Sequence, residues 1–142
     1  MIYLDTSYLV RLYLEDPGYA EVRELAASDH VACATLGQSE TVAAFHRKLR
    51  EGSLSTKSYR AVLAQFEADL TAGAIQWLPP GPAILTVIRE TYAKLPATVY
   101  LRGADAMHLA TAAANGFKAV YSNDRHLLAA APHFKLKAVN IL

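Results

Sequence analysis

With a single cysteine, Cys33, the 142-residue sequence cannot close a disulfide within one chain, which fits a reducing cytoplasm. It lacks any uninterrupted apolar stretch near the roughly 18 residues that a membrane span requires, so no spanning helix is expected. The opening residues, Met1-Ile2-Tyr3-Leu4-Asp5, contain no basic segment leading into a long apolar one, which predicts no secretory signal. Net charge is only +1 and the pI is near 7.9. Any binding of nucleic acid must therefore come from local clusters of basic groups or from bound metal, because the overall field is too weak to attract a polyanion. His30, His46, His126 and His133 show no metal-ligand spacing and read as structural. Repeats, low-complexity tracts and interdomain linkers are absent, and the length suits one domain over residues 1–142.

What the chain has in quantity is apolar residues, 53% with a mean hydropathy of +0.14. That is high for a small domain and predicts that some apolar surface is covered by a partner, with a homo-oligomer as one natural use. The apolar runs are short and alternate with helical segments. Strands are expected at Ile2–Leu4, Val31–Ala34, Ile75–Leu78, Lys118–Tyr121 and Lys137–Ile141, with Cys33 buried in the second. Helices are expected over Thr6–Leu14, Tyr19–Ala27, Leu36–Arg50, Ser55–Leu70, Ala83–Leu95 and Ala104–Asn115, and from Asp124 onward. Thr35 with Gln38 three residues later has the spacing of a capping box, and Gly116 stands where the alanine-rich helix should stop. Strands alternating with helices of this length form βαβ units, so the expected fold class is α/β, with a parallel sheet between helical layers.

Four acids, Asp5, Glu40, Asp105 and Asp124, stand where strands end or helices begin. In an open parallel sheet the carboxyl ends of the strands meet at one crevice. Each acid also has an ordinary explanation. Asp5 and Asp124 have the position of helix caps, and an early acid complements the helix dipole. Glu40 lies off the expected core stripe of Val42, Phe45 and Leu49, on the side of Leu36, Ala43 and Arg47, where a solvated carboxylate is unremarkable. Asp105 lies on a helix that is apolar nearly all round and therefore buried. A carboxylate there costs several kcal/mol unless compensated, either by a cation or by an ion pair with His108 or Arg102. Taken together, four carboxylates suit Mg²⁺ or Mn²⁺, which take hard oxygen ligands; two such ions about 3.5–4 Å apart can serve an in-line phosphodiester displacement.

The ordered set Leu4-Asp5-Thr6-Ser7, Glu40, Asp105-Ala106-Met107-His108-Leu109-Ala110-Thr111-Ala112 and Tyr121-Ser122-Asn123-Asp124 resembles the PIN-domain ribonucleases, specifically the VapC-like toxins of type II toxin–antitoxin systems. The match runs almost end to end. The resemblance implies a three-layer α/β/α sandwich with a mostly parallel sheet of four or five short strands. It also implies metal-dependent RNA cleavage with one or two Mg²⁺ or Mn²⁺ ions, a homodimer, and a cognate VapB-like antitoxin whose C-terminal segment enters the active-site groove. On this reading Asp5, Glu40, Asp105 and Asp124 are the metal-binding carboxylates, and Thr6 and Ser122 the supporting hydroxyls; Ser122 stands where many relatives have Thr.

An acidic site needs basic groups to hold phosphate. Arg11, Arg47, Lys48, Arg50, Lys57 and Arg60 are available, with Arg102 and Arg125, next to two of the acids, the first choices. Tyr8, Tyr59, Tyr92 and Tyr100 offer faces for base stacking or for an interface, although packing is the commoner use. His108 reads as a packing or hydrogen-bonding residue. Three other functions stay open: an aspartyl-nucleophile phosphatase, which normally has a second acid where Ser7 stands; a PIN-like module that only binds RNA or protein; and a PIN nuclease for RNA processing or for DNA outside a toxin system.

Overall fold

A computed structural model describes residues 1–142. Five short strands lie parallel, because each of the first four is followed by helical structure that carries the chain back to the end of the sheet from which it started. β1 (Ile2–Tyr3), β2 (Val31–Ala34) and β3 (Ile75–Leu78) pair in the order β1-β2-β3. β4 (Ala119–Tyr121) pairs with β5 (Lys137–Val139). A parallel bridge between Leu4 and Tyr121, with the Asp5 N–H donating to the Tyr121 carbonyl at 3.1 Å, joins the two groups. The full order is therefore β3-β2-β1-β4-β5, and the winding direction reverses between β1 and β4. A crevice opens at such a reversal, outside the carboxyl ends of the two strands.

Seven helices cover the sheet: α1 (Thr6–Tyr13), α2 (Tyr19–Ser28), α3 (Leu36–Arg50), α4 (Thr56–Ala72), α5 (Pro82–Tyr92), α6 (Gly103–Ala114) and α7 (Arg125–Ala130). Alternation along the strands divides the core into two layers. Tyr3, Ala32, Ala34 and Leu78 pack on α5, α6 and α7 through Ile84, Leu109, Ala110 and Leu127. On the opposite face Leu4, Val31, Cys33 and Ile75 meet Tyr8, Leu9 and Val22 of α1 and α2. A third cluster, Val10, Leu14, Phe45, Val62 and Phe66, ties α1 to α3 and α4. All four residues of β2 are buried, as its position between β1 and β3 requires.

Most expected elements appear within one to three residues of their expected ends, and three details differ. Thr35 makes no side-chain cap; it already has helical angles, and its N–H donates to Leu78 of β3. Val42, assigned to the core stripe of α3, is 36% exposed, while Gly37, Thr41 and Phe45 face inward. The sheet-facing end of α3 thus presents small residues, which lets the helix sit close to β2: a Cβ on Gly37 would lie 2.6 Å from Cys33 Sγ. Finally, α5 stops at Tyr92 rather than Leu95, and a turn ending in the Leu95 N–H to Tyr92 carbonyl bond precedes Pro96, which disfavours helical angles at the residue before it. No helix is long and apolar enough to cross a membrane.

Candidate functional site

A polar cleft of about 730 Å³ opens at the β1/β4 reversal and is lined by Asp5, Glu40, Asp105 and Asp124 together. Each acid arrives on a different element. Asp5 caps α1, Glu40 lies in the second turn of α3, Asp105 in the first turn of α6, and Asp124 caps α7. A larger concavity, about 1180 Å³, lies between α1, α2 and α4, but its lining is mostly apolar. Of its acids, Asp16 is paired with Lys48 and Asp69 accepts from Tyr13. The chemistry therefore concentrates in the smaller cleft.

The capping and cleft-lining roles of Asp5 and Asp124 coexist, because each aspartate divides its two oxygens. Asp5 Oδ1 accepts from the Tyr8 N–H at 3.2 Å and from Ser7 Oγ at 2.6 Å, while Oδ2 accepts from Ser122 Oγ at 2.6 Å. Asp124 Oδ1 takes the His126 and Leu127 N–H groups at 2.8 and 3.2 Å, leaving Oδ2 for Arg102 at 2.5 Å. Burial pushes the Asp5 carboxyl above its ordinary pKa, against the bonds from Ser122 and Ser7 that favour the charged form. For Asp124 the balance falls the other way: burial is outweighed by the Leu127 and His126 N–H groups and by Arg102, so its pKa is lowered.

Glu40 is fixed from two sides, by Thr6 Oγ1 at 2.5 Å and by His108 Nε2 at 2.7 Å. Behind it runs a buried relay. His108 Nδ1 lies 2.9 Å from the Tyr3 hydroxyl, which accepts the Ala34 N–H at 3.1 Å. Burial lowers the imidazole pKa, whereas Cys33 and Glu40 raise it, and the net shift is upward. The Cys33 thiol is itself pushed up by burial and so stays neutral near pH 7, which makes the Glu40 carboxylate the charge that matters. Neutral or charged, His108 keeps its Nε2 proton towards Glu40, and in the neutral form the Tyr3 hydroxyl donates to Nδ1, so every polar atom of the relay has a partner. Glu40 in turn is lowered, burial being offset first by His108 and then by Thr6.

Asp105, 7% exposed, takes all its side-chain hydrogen bonds from Arg102: Nε to Oδ2 at 2.7 Å and Nη2 to Oδ1 at 3.2 Å. Of the two ion pairs weighed from the sequence, the one with Arg102 forms; His108 bonds Glu40 instead. Arg102 lines the cleft, whereas Arg125 lies outside it, with Nε 3.4 Å from the His126 ring. His46, Arg47 and Arg50 of α3 also line the cleft, together with Glu40 and Ala43 of the same helix. Arg11 is occupied by the Ser7 and Pro17 carbonyls. Ser7, singled out in the sequence only as the position where an aspartyl-nucleophile phosphatase has a second acid, is a further supporting hydroxyl, and its spacing two residues after Asp5 is the signal for it. Tyr100 is 60% exposed and stands edge-on to His126, with centroids 4.8 Å apart, beside Arg102.

No three acidic or histidine side chains converge on a common point at metal-ligand distance. Arg102 Nη2 nonetheless contacts Asp105 and Asp124 at once, at 3.2 and 2.5 Å, so a cationic group already sits between two of the acids. With Glu40 and Asp5 lining the same cleft, the donor set consists of hard oxygens on a cation position, which fits a hard divalent ion in kind.

The depressed pKa values carry a sign. Asp124 contributes stability above its unfolded value, about 3.9, and that contribution is lost as pH falls through the lower folded value. Asp5, raised by burial, has the opposite sign. In metal-free protein the melting temperature should fall below about pH 4. Asp124→Asn, which keeps the capping oxygen, should show a shallower fall in thermal scans across that range; an equal slope would contradict the assignment.

Together these features define an α/β/α protein whose acidic cleft sits at the winding reversal of a parallel sheet. Residues 2–132 match the PIN domain family, and the chain belongs to it. No curated protein of similar sequence was found. Among solved structures, FitAcB from Neisseria gonorrhoeae superposes with a TM-score of 0.73 at 18% identity over 99% of this chain and 97% of that one. VapBC2 from Rickettsia felis, bound to a DNA fragment from its promoter, gives 0.67 at 16% identity, covering 99% and 98%. The sarcin-ricin-loop-cleaving toxin VapC20 of Mycobacterium tuberculosis gives 0.65 at 18% identity, covering 92% and 95%. At such identities the likeness establishes the fold.

Proposed function

We propose that this chain, as one PIN-like domain over residues 1–142, is a divalent-metal-dependent endoribonuclease and the toxin of a VapBC-type pair. It would act in the cytoplasm as a homodimer and be neutralised by a cognate VapB-like antitoxin. The observation that carries the nuclease reading is the gathering of Asp5, Glu40, Asp105 and Asp124, from four separate elements, around one cleft. The toxin reading is supported by the VapBC, FitAB and VapC20 structures that share the fold.

The four carboxylates would hold Mg²⁺ or Mn²⁺. A divalent ion there supplies positive charge that polarises a phosphate and acidifies water. The chain's own residues do the positioning. Ser7, Ser122 and the Tyr8 N–H orient Asp5; Thr6 and the buried Tyr3–His108 relay orient Glu40, so neither acid has to be ordered when substrate arrives. Arg47 and Arg50, which also line the cleft, give it the positive charge that an RNA backbone needs. Beside Arg102, Tyr100 presents an open ring for an unpaired base, a contact worth roughly 1–3 kcal/mol in single-strand recognition.

Incubation with a panel of structured RNAs tests the activity. Cleavage should appear with Mg²⁺ or Mn²⁺ and vanish in excess EDTA. Cutting that persists in EDTA would defeat the metal-dependent reading, and RNA left intact under every condition would defeat the nuclease reading.

A further inference from the structure

The four acids are stabilised in two different ways. Asp5 and Glu40 are held by groups built into the fold: hydroxyls, a backbone N–H and a buried imidazole. Asp105, by contrast, takes its side-chain hydrogen bonds from Arg102 alone, and the Asp124 oxygen not used for capping takes its bond from Arg102 as well. The Arg102 side chain is 49% exposed and leaves the chain at the extended residue that precedes α6. It is the member of the cluster free to swing out without disturbing a strand or a helix.

Resting on the proposed metal-dependent function, we infer that Arg102 is a built-in counter-cation that holds the site closed until a divalent ion displaces it. A carboxylate as buried as Asp105 cannot stand uncompensated, so the choice there is arginine or metal. The two exclude each other, because Nη2 occupies the point where Asp105 and Asp124 meet and a second cation there would face like-charge repulsion. With a divalent ion held by Asp105 and Asp124, the three charge-assisted hydrogen bonds of Arg102 would be lost and its half-exposed guanidinium would be released towards solvent. There its fork of N–H donors matches an arriving phosphate. Arg102 is a positioning residue of the metal-free state, and the metal affinity of the intact protein would contain the work of moving it.

Mn²⁺ titration of purified full-length protein, followed by calorimetry or by loss of the free-ion paramagnetic signal, tests this, with thermal melting alongside. Arg102→Gln should bind Mn²⁺ about tenfold tighter or more than the unsubstituted protein and melt lower when metal-free. The melting deficit should close as Mn²⁺ is added. Arg102→Lys, which keeps the charge but loses the two-pronged contact, should fall between, and Arg125→Gln, which removes a nearby charge outside the cleft, should change affinity little. Unchanged or weaker binding by Arg102→Gln, or equal gains in Arg102→Gln and Arg125→Gln, would overturn the displacement mechanism while leaving the metal site standing. Absence of Mn²⁺ binding in every protein would overturn both.

Discussion

Asp105→Asn is expected to lower metal-dependent RNA cleavage by about a thousandfold while leaving the circular dichroism spectrum unchanged. The size follows from what is removed. Metal stabilisation of charge at a reacting phosphate is worth several kcal/mol, and each 1.36 kcal/mol is tenfold in rate. Asn keeps an oxygen for Arg102 and nearly the same volume in a site 7% exposed, so packing on α6 is retained. Rate constants for a labelled RNA at saturating Mg²⁺ measure the effect. Full activity in the variant would remove Asp105 from the site and with it the cation position it shares with Asp124.

Phe45→Ala should instead unfold the protein more readily and leave the cleft chemistry intact. Phe45 is fully buried and meets Tyr13 and Phe66 edge-on, with centroids 5.7 and 6.0 Å away. Its removal leaves a cavity at the seam of α1, α3 and α4 and should cost about 3–5 kcal/mol, a fall in melting temperature of roughly 10 °C or more. Phe45 lies five residues from Glu40, on a different side of α3. Well below the transition, the activity per folded molecule should therefore match the unsubstituted protein. A loss under 1 kcal/mol in urea unfolding would mean that this cluster does not hold α3 in place.

The contrast between the two variants reflects how unevenly sequence reports structure. Strands such as Val31–Ala34 and Ile75–Leu78 were legible because β-branched and apolar runs are bounded by turn residues, and α6 because an alanine-rich segment with apolar residues on every side has to be buried. The inward face of α3 is not legible in the same way, because Val42 fits an apolar stripe whereas Gly37, whose smallness lets the helix approach Cys33, and buried Thr41 carry no hydrophobic signal. Among the site residues, Asp5 and Asp124 stood out by position at strand ends, and the Arg102–Asp105 pair by its spacing of three. The bond between Glu40 and His108 spans 68 residues and joins two helices, and no local pattern encodes such a contact. Nor does linear adjacency reveal which basic side chain enters a cleft: Arg125 follows Asp124 directly yet lies outside the lining, while Arg47 and Arg50 on α3 are part of it.

The central claim is that four carboxylates brought from distant parts of the chain form one site for a divalent ion. A crystal structure determined after soaking in Mn²⁺, with anomalous scattering collected at the manganese edge, tests it most directly. The expected result is a manganese peak inside the cleft, within coordination distance of oxygens from Asp5, Glu40, Asp105 and Asp124 or of waters bound to them. A cleft without a peak in crystals exposed to millimolar Mn²⁺, or manganese bound only elsewhere on the surface, would contradict the account.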